Sequence, residues 1–144
     1  KLWGWPADAI ELIDEDLGLS GSTTIARSGY RRMVAEVVAD LIGLDAALAG
    51  ADWAFTGEGR ADLQTLLRKA PYVVAERARA ARVPITLLSG AVDAAALPEL
   101  GRVFDGCFAL PSGPMTLADC MANADPLLAD RAEQIAKIWD AAHR

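Results

Sequence analysis

From Ser28 onward the apolar positions Tyr30, Met33, Val34, Val37, Val38, Leu41 and Ile42 recur at i, i+3, i+4 and i+7. That spacing predicts an amphipathic helix, stopped near Gly43. Upstream, Ile10, Ile13 and Leu17 take helical spacing over Ala7 to Leu17 beneath an acidic face of Asp8, Glu11, Asp14, Glu15 and Asp16. The Gly-, Ser- and Thr-rich stretch Gly18 to Thr24 breaks that pattern and reads as a linker. Three short apolar runs bounded by glycine or proline, Asp52 to Thr56, Pro84 to Ser89 and Gly106 to Leu110, read as strands. Between the first two lies a helical stretch, Pro71 to Arg82, with proline suited to its first turn. A last helix is expected over Asp125 to Ala142, with Leu127, Leu128, Ile135, Ile138 and Trp139 on one face. Strand, helix and strand in alternation predict parallel βαβ units, hence an α/β fold with a mostly parallel sheet flanked by helices. Right-handed crossovers put the loops after the strands on one edge, where open α/β sheets bind ligands.

Composition narrows the function classes. The 144 residues suit one domain, and 53% hydrophobic residues, many of them alanine, predict a helix-rich, closely packed core. A formal charge of −6 with scattered basic residues argues against a nucleic-acid partner. No apolar run approaches the ~18 residues of a membrane span. Cys107, Cys120 and the single His143 give neither a metal-ligand spacing nor a Cys/His nucleophile pair, so a reduced, cytoplasmic compartment is the simplest expectation. The chain begins at Lys1 without a leader-like segment, which reads as an excised piece of a longer protein.

The densest chemistry lies in Trp53-Ala54-Phe55-Thr56-Gly57-Glu58-Gly59-Arg60-Ala61-Asp62-Leu63-Gln64-Thr65, closing on Lys69-Ala70-Pro71. An apolar strand here is expected to end in a glycine turn, with Gly57 and Gly59 taking positive φ and letting a ligand approach the backbone. A strand, glycine turn and helix in succession aim free N–H groups at an anion, so a phosphate-handling site is the leading idea. Glu58 and Asp62 are the candidate carboxylates, able to share a metal ion or to divide metal binding and base duties; Asp62 also fits a plain helix cap. Arg60 and Lys69 are candidate partners for phosphate or a substrate carboxylate. Gln64 and Thr65 suit either substrate hydroxyls or the backbone of the turn. Ser89-Gly90 at the end of the second strand, and Gly113 in Ser112-Gly113-Pro114-Met115 after the third, would line the same cleft. Thr116 with Asp119 reads as a capping arrangement, and Met115 and Met121 as core. The sequence is neither a Walker A loop nor a Gly-x-Gly-x-x-Gly fingerprint.

Thr56-Gly57-Glu58-Gly59-Arg60, Asp62, Gln64-Thr65 and Lys69-Ala70-Pro71 resemble the signature of the bacterial glycerate kinase family, of the glycerate 2-kinase type. Two further segments resemble it in the right order: Pro84-Ile85-Thr86-Leu87-Leu88-Ser89-Gly90, and Pro111-Ser112-Gly113-Pro114-Met115-Thr116-Leu117 with Met121-Ala122-Asn123-Ala124. The likeness spans roughly Ile25 to Trp139. Family members carry glycine where this chain has Arg68 and a larger aliphatic residue where it has Ala61. The family's N-terminal Asp-Ser-Phe-Lys-Gly-Ser-Leu turn has no counterpart here.

The resemblance implies a C-terminal portion of a two-domain kinase, with a flavodoxin- or Rossmann-like layer over 25–144, preceded by an N-terminal segment, 1–24, of unclear relation to the family. It implies transfer of the ATP γ-phosphoryl group to a hydroxyl of D-glycerate with Mg²⁺, with glycerate and nucleotide as small-molecule partners. A sheet lacking the family's N-terminal strand exposes an edge, which predicts a homodimer or pairing with the missing N-terminal part. The second reading is a binding or structural module without catalysis of its own, because phosphoryl transfer depends on positioning that half a cleft would lose.

Overall fold

The computed structural model describes residues 28–144. The helix expected over 7–17, the linker over 18–24 and the proposed boundary at residue 24 lie outside the described residues. Helix α1 spans Ser28–Leu41, and the chain turns at Gly43, whose φ of 68° is left-handed, into the short α2, Leu44–Leu48. Strand β1, Ala54–Ala61, leads through a 3₁₀ turn at Leu63–Leu66 to α3, Ala70–Ala81. Pro71 in the first turn of α3 needs no N–H partner there, and Arg82 ends the helix with φ 60°. Strand β2, Ile85–Val92, is followed by a second 3₁₀ turn at Ala94–Ala96 and by α4, Leu97–Leu100; β3 is Gly106–Ala109. The chain closes with α5, Leu117–Ala122, capped by Thr116 as its spacing to Asp119 predicts, and α6, Ala124–Ala142.

Among the described residues the sheet has three strands in the order β1-β2-β3, both pairings parallel. The expected α/β fold with a parallel sheet is therefore present. Parallel pairing sends every strand's C-terminal end to one edge, and the motif residues follow β1 onto it. The central β2 is buried along Ile85 to Ser89, as expected of a parallel strand. Its Ile85 and Leu87 pack with Ala75 and Ala78 of α3 and with Leu100 and Phe104, forming the core. On the opposite face Trp53 donates to Thr86 Oγ1 (3.0 Å) and stacks on Trp139 of α6, with ring centroids 4.6 Å apart.

Two expectations need correction. β1 does not end before the glycines: it runs through Gly57 and Gly59 to Ala61, and neither glycine takes positive φ. At Gly57, and at Gly90 on the neighbouring strand, the physical reason for glycine is close backbone approach. A Cβ on Gly57 would stand 2.5 Å from the carbonyl oxygen of Leu88, and one on Gly90 would stand 2.7 Å from that of Gly59. Met115 and Met121, read as core, are 44% and 72% exposed, because α5 follows an outward loop and buries no residue.

Helix α1 also turns an unexpected side inward. Its small residues Ala35 and Ala39 pack on Val73 of α3, while Met33, Val34, Val37, Val38 and Leu41 stay exposed, followed by Ile42. The small side chains let the two helices approach closely. Arg77 of α3 reinforces the junction by donating to Asp45 (2.6 Å), Glu36 (2.8 Å) and Asp40 (3.0 Å), and Glu36, followed by Asp45, holds its pKa above the ordinary guanidinium value against the opposing effect of burial. A groove of about 490 Å³ lies between α1 and α3, lined by apolar residues and by Lys69.

Candidate active site

At the C-terminal end of β1 the strand alternation sends Glu58 toward α3 and Gly57 and Gly59 to the other face. The Glu58 side chain is only 14% exposed. Its Oε1 accepts a 2.5 Å hydrogen bond from Thr65 Oγ1, and its Oε2 lies 3.6 Å from Lys69 Nζ. Thr65 is fully buried, and its hydroxyl also accepts from the backbone N–H of Asp62 (3.1 Å). The 3₁₀ turn sets Thr65 below the strand, and the start of α3 brings Lys69 over it. Glu58, Thr65 and Lys69 thus form one hydrogen-bonded, charge-compensated group. The charged partner makes Glu58 affordable at low exposure, where an unpaired carboxylate would be costly.

Asp62 does something different. Its Oδ1 accepts from the Gln64 N–H (2.8 Å), and with Thr65 it completes a reciprocal capping box around the 3₁₀ turn. The capping reading of Asp62 therefore holds. The N–H groups expected to face an anion are partly taken by this cap. The Asp62 Oδ2 lies 4.0 Å from Arg60 Nε, and Arg60 Nη2 lies 3.8 Å from Asp93 Oδ2. Arg60 is 68% exposed at its side chain, so these are loose contacts at the solvent side of the edge. Asp93 was not singled out by the sequence reading. Its signal was present, since it follows β2 and caps the next turn by accepting from the Ala95 N–H.

The remaining predicted residues sort by element. Ser89 pairs in register with Glu58 across β1 and β2, is fully buried, and its Oγ has no hydrogen-bond partner. Gly90 follows it against Gly59. Gln64 engages through its backbone, and its side chain is exposed. Gly113 lies in the exposed loop after β3, with open space around it. Arg68 has φ 53°, a left-handed conformation that glycine adopts more readily. That conformation accounts for the glycine the resemblance leads one to expect there. Ala61 is fully enclosed in the core.

Chemically, the edge offers a part-buried carboxylate held by a hydroxyl and an ammonium, a second carboxylate at a turn start, and an exposed guanidinium. Glu58 and Asp62 share Thr65 as a partner, but of the two carboxylates Lys69 approaches only Glu58 and Arg60 only Asp62. Among the described residues no group of three or more His, Cys, Asp or Glu side chains is arranged to hold a metal by itself. No helix among them is long and apolar enough to cross a membrane.

Comparison with known proteins gives a consistent result. A family model described as "Glycerate kinase family" matches residues 18–140. A glycerate kinase of Bacillus cereus is 34% identical over 124 residues, covering 85% of this chain and 32% of the relative. One from Halalkalibacterium halodurans is 31% identical over 103 residues, covering 72% and 27%. A crystal structure assigned as glycerate kinase 2 from Salmonella typhimurium LT2 matches with a TM-score of 0.56 and 32% identity, over 75% of this chain and 27% of that one. This chain therefore spans about a third of the length of the curated relatives it matches.

Proposed function

The chain belongs to the glycerate kinase family, and on that premise we propose that it supplies one wall of the cleft of an ATP-dependent kinase acting on a hydroxyl of D-glycerate. The observation that carries this reading is the gathering of Glu58, Thr65 and Lys69 beside Asp62 and Arg60 at the C-terminal edge of a parallel sheet. That edge is where open α/β sheets bind ligands.

In this reading Lys69 and Arg60 meet phosphate or the glycerate carboxylate. Lys69 acts as a point charge held by Glu58, and Arg60 as an exposed fork free to turn to a ligand. Glu58 keeps Lys69 and the Thr65 hydroxyl in place, and it and Asp62 are the carboxylates available as base or metal ligands. Gln64, Ser89 and the backbone at Gly57, Gly59, Gly90 and Gly113 contribute polar groups along the same edge. The donor chemistry fits Mg²⁺, which is typically held by one or two carboxylates together with substrate phosphates. Asp62 is the freer of the two, because its Oδ2 has only the 4.0 Å approach of Arg60 while both Glu58 oxygens are engaged. Bound there, the ion would offset phosphate charge during transfer. A cytoplasmic location belongs to the same proposal, supported by the free thiols of Cys107 and Cys120.

One observation supports a second reading, in which this chain alone is a non-catalytic module. The exposed apolar face of α1 is a surface that a second copy, or the remainder of a longer protein, would cover.

A coupled assay for ADP release with ATP, Mg²⁺ and D-glycerate tests the first reading, run on this chain and on a full-length protein containing it. Asp62→Asn is the matching variant, since asparagine caps as well as aspartate and keeps the turn. The expected result is turnover in the full-length protein and a loss of about 100-fold or more in the variant. Turnover in neither protein supports the module reading, and an unaffected D62N removes Asp62 from the mechanism.

A further inference from the structure

We propose that Arg131 of α6 is a positioning residue for this site: it anchors the entry of the loop after β3 at Leu110 and Pro111, where Leu110 is bonded to Ser89, the register partner of Glu58. The inference rests on the kinase reading for its catalytic consequence, but not for its structural one.

Arg131 Nη2 reaches two consecutive carbonyl oxygens at the end of β3, those of Pro111 (3.1 Å) and Leu110 (3.4 Å). On its other side the same segment is tied to β2, because Leu110 N–H donates to Ser89 O (2.8 Å). Ser89 is in turn the register partner of Glu58. The order across the edge is therefore Arg131, Leu110, Ser89, Glu58. Beyond Pro111 the chain is exposed from Ser112 to Thr116, where the Thr116 cap starts α5. Arg131 thus holds the entry of a loop whose tip has no burial to fix it.

An apolar side chain at 131 would cover the same surface with less penalty. Arg131 carries a buried Nε without a hydrogen-bond partner, an arrangement that costs stability unless the rest of the guanidinium is well used. Its use here is the pair of carbonyls. A charged donor binds a carbonyl more strongly than a neutral one, and one planar group spanning two successive peptides fixes their orientation. Misplacing a site loop by about 1 Å can lower turnover about 100-fold, so an anchor remote from the reacting atoms can act on rate.

Backbone amide exchange on the full chain, in the wild type, Arg131→Met and Arg131→Lys, tests the anchor. In R131M, exchange at Leu110, whose N–H is held by Ser89 O, is expected to rise about tenfold, the scale of one charged hydrogen bond, while the amides around Ile135 keep their protection. R131K, which retains the charge and stem, should fall between. Unchanged exchange at Leu110 in R131M, with Ile135 still protected, overturns the proposal. If R131M loses α6 protection as well, the R131K result decides: faster exchange at Leu110 than in the wild type supports the anchor, and wild-type exchange overturns it. Turnover is measured separately in a full-length protein that is active as wild type. There kcat should fall in R131M with KM for ATP little changed. A wild type without turnover refutes the kinase reading and leaves the exchange result standing.

Discussion

Thr65 Oγ1 donates to Glu58 Oε1 at 2.5 Å while accepting from the Asp62 N–H, so one buried hydroxyl ties the strand carboxylate to the start of the 3₁₀ turn. Thr65→Val preserves the shape and removes both bonds. It leaves a half-buried N–H and a carboxylate oxygen without a partner, each costly to strand away from water. The expected loss is about 1–3 kcal/mol in urea unfolding. Thr65→Ser keeps the hydroxyl and should lose less than half of that. Equal stability of the two variants would show that the bond contributes little.

Gly57 and Gly90 are held by backbone and not by turn geometry. A methyl group at 57 meets Leu88 O at 2.5 Å, and a carbonyl in a parallel ladder cannot swing aside without breaking its own bonds. Gly57→Ala should therefore destabilise by about 1–3 kcal/mol, the usual range for overpacking. Gly113→Ala has open space and should stay within about 0.5 kcal/mol of the wild type. Comparable melting temperatures for the two alanine variants would refute the close-approach account.

These glycines also mark where sequence reading stops. The end of α1 at Gly43, the proline-led α3, the starts of all three strands and the Asp62 cap follow local rules of periodicity, turn conformation and side-chain reach, and all were legible. From sequence Gly57 and Gly59 read as a turn because glycine gives a strand pattern no side chain to alternate. Their cause is β2, which lies about 30 residues downstream in sequence. Likewise the periodicity of α1 identifies its apolar stripe but not its neighbour, and α3 accepts the small face of Ala35 and Ala39. In the site, Glu58, Lys69 and Thr65 were visible as a dense motif. Their grouping, and the link from Arg131 to Leu110, depend on contacts between elements that composition does not encode.

Arg68 offers a stabilising change beside the site. Its φ of 53° costs a residue with a Cβ roughly 1–2 kcal/mol, and glycine avoids that term while giving some back through a freer unfolded chain. Arg68→Gly should therefore exceed Arg68→Ala in stability by about 1 kcal/mol, with both lacking the same charge. Arg82, at φ 60°, provides a second position where glycine should beat alanine. Chemical denaturation of the four variants decides, and alanine equal to glycine at both sites would rule out backbone strain as the cause.

Cys107 carries the pH dependence that can be assigned by sign. It lies in β3 opposite Leu87, and burial pushes its thiol pKa up because the thiolate loses water it cannot replace. A raised pKa means less thiolate at a given pH, and the thiolate is the nucleophile. At pH 8 iodoacetamide should therefore label Cys107 more slowly than a cysteine in a short peptide, and denaturant should abolish the difference. The same shift sets a stability slope. Below the ordinary thiol range near 8.5 the group is neutral in both states and contributes none. Above it the unfolded chain ionises first, so stability falls with rising pH until the folded thiol ionises too. Cys107→Ala should remove that component of the slope above the ordinary thiol range, measured by urea unfolding against the wild type. Parallel slopes in the two proteins, or labelling of Cys107 at the peptide rate, would mean that the thiol is not held in a desolvated site.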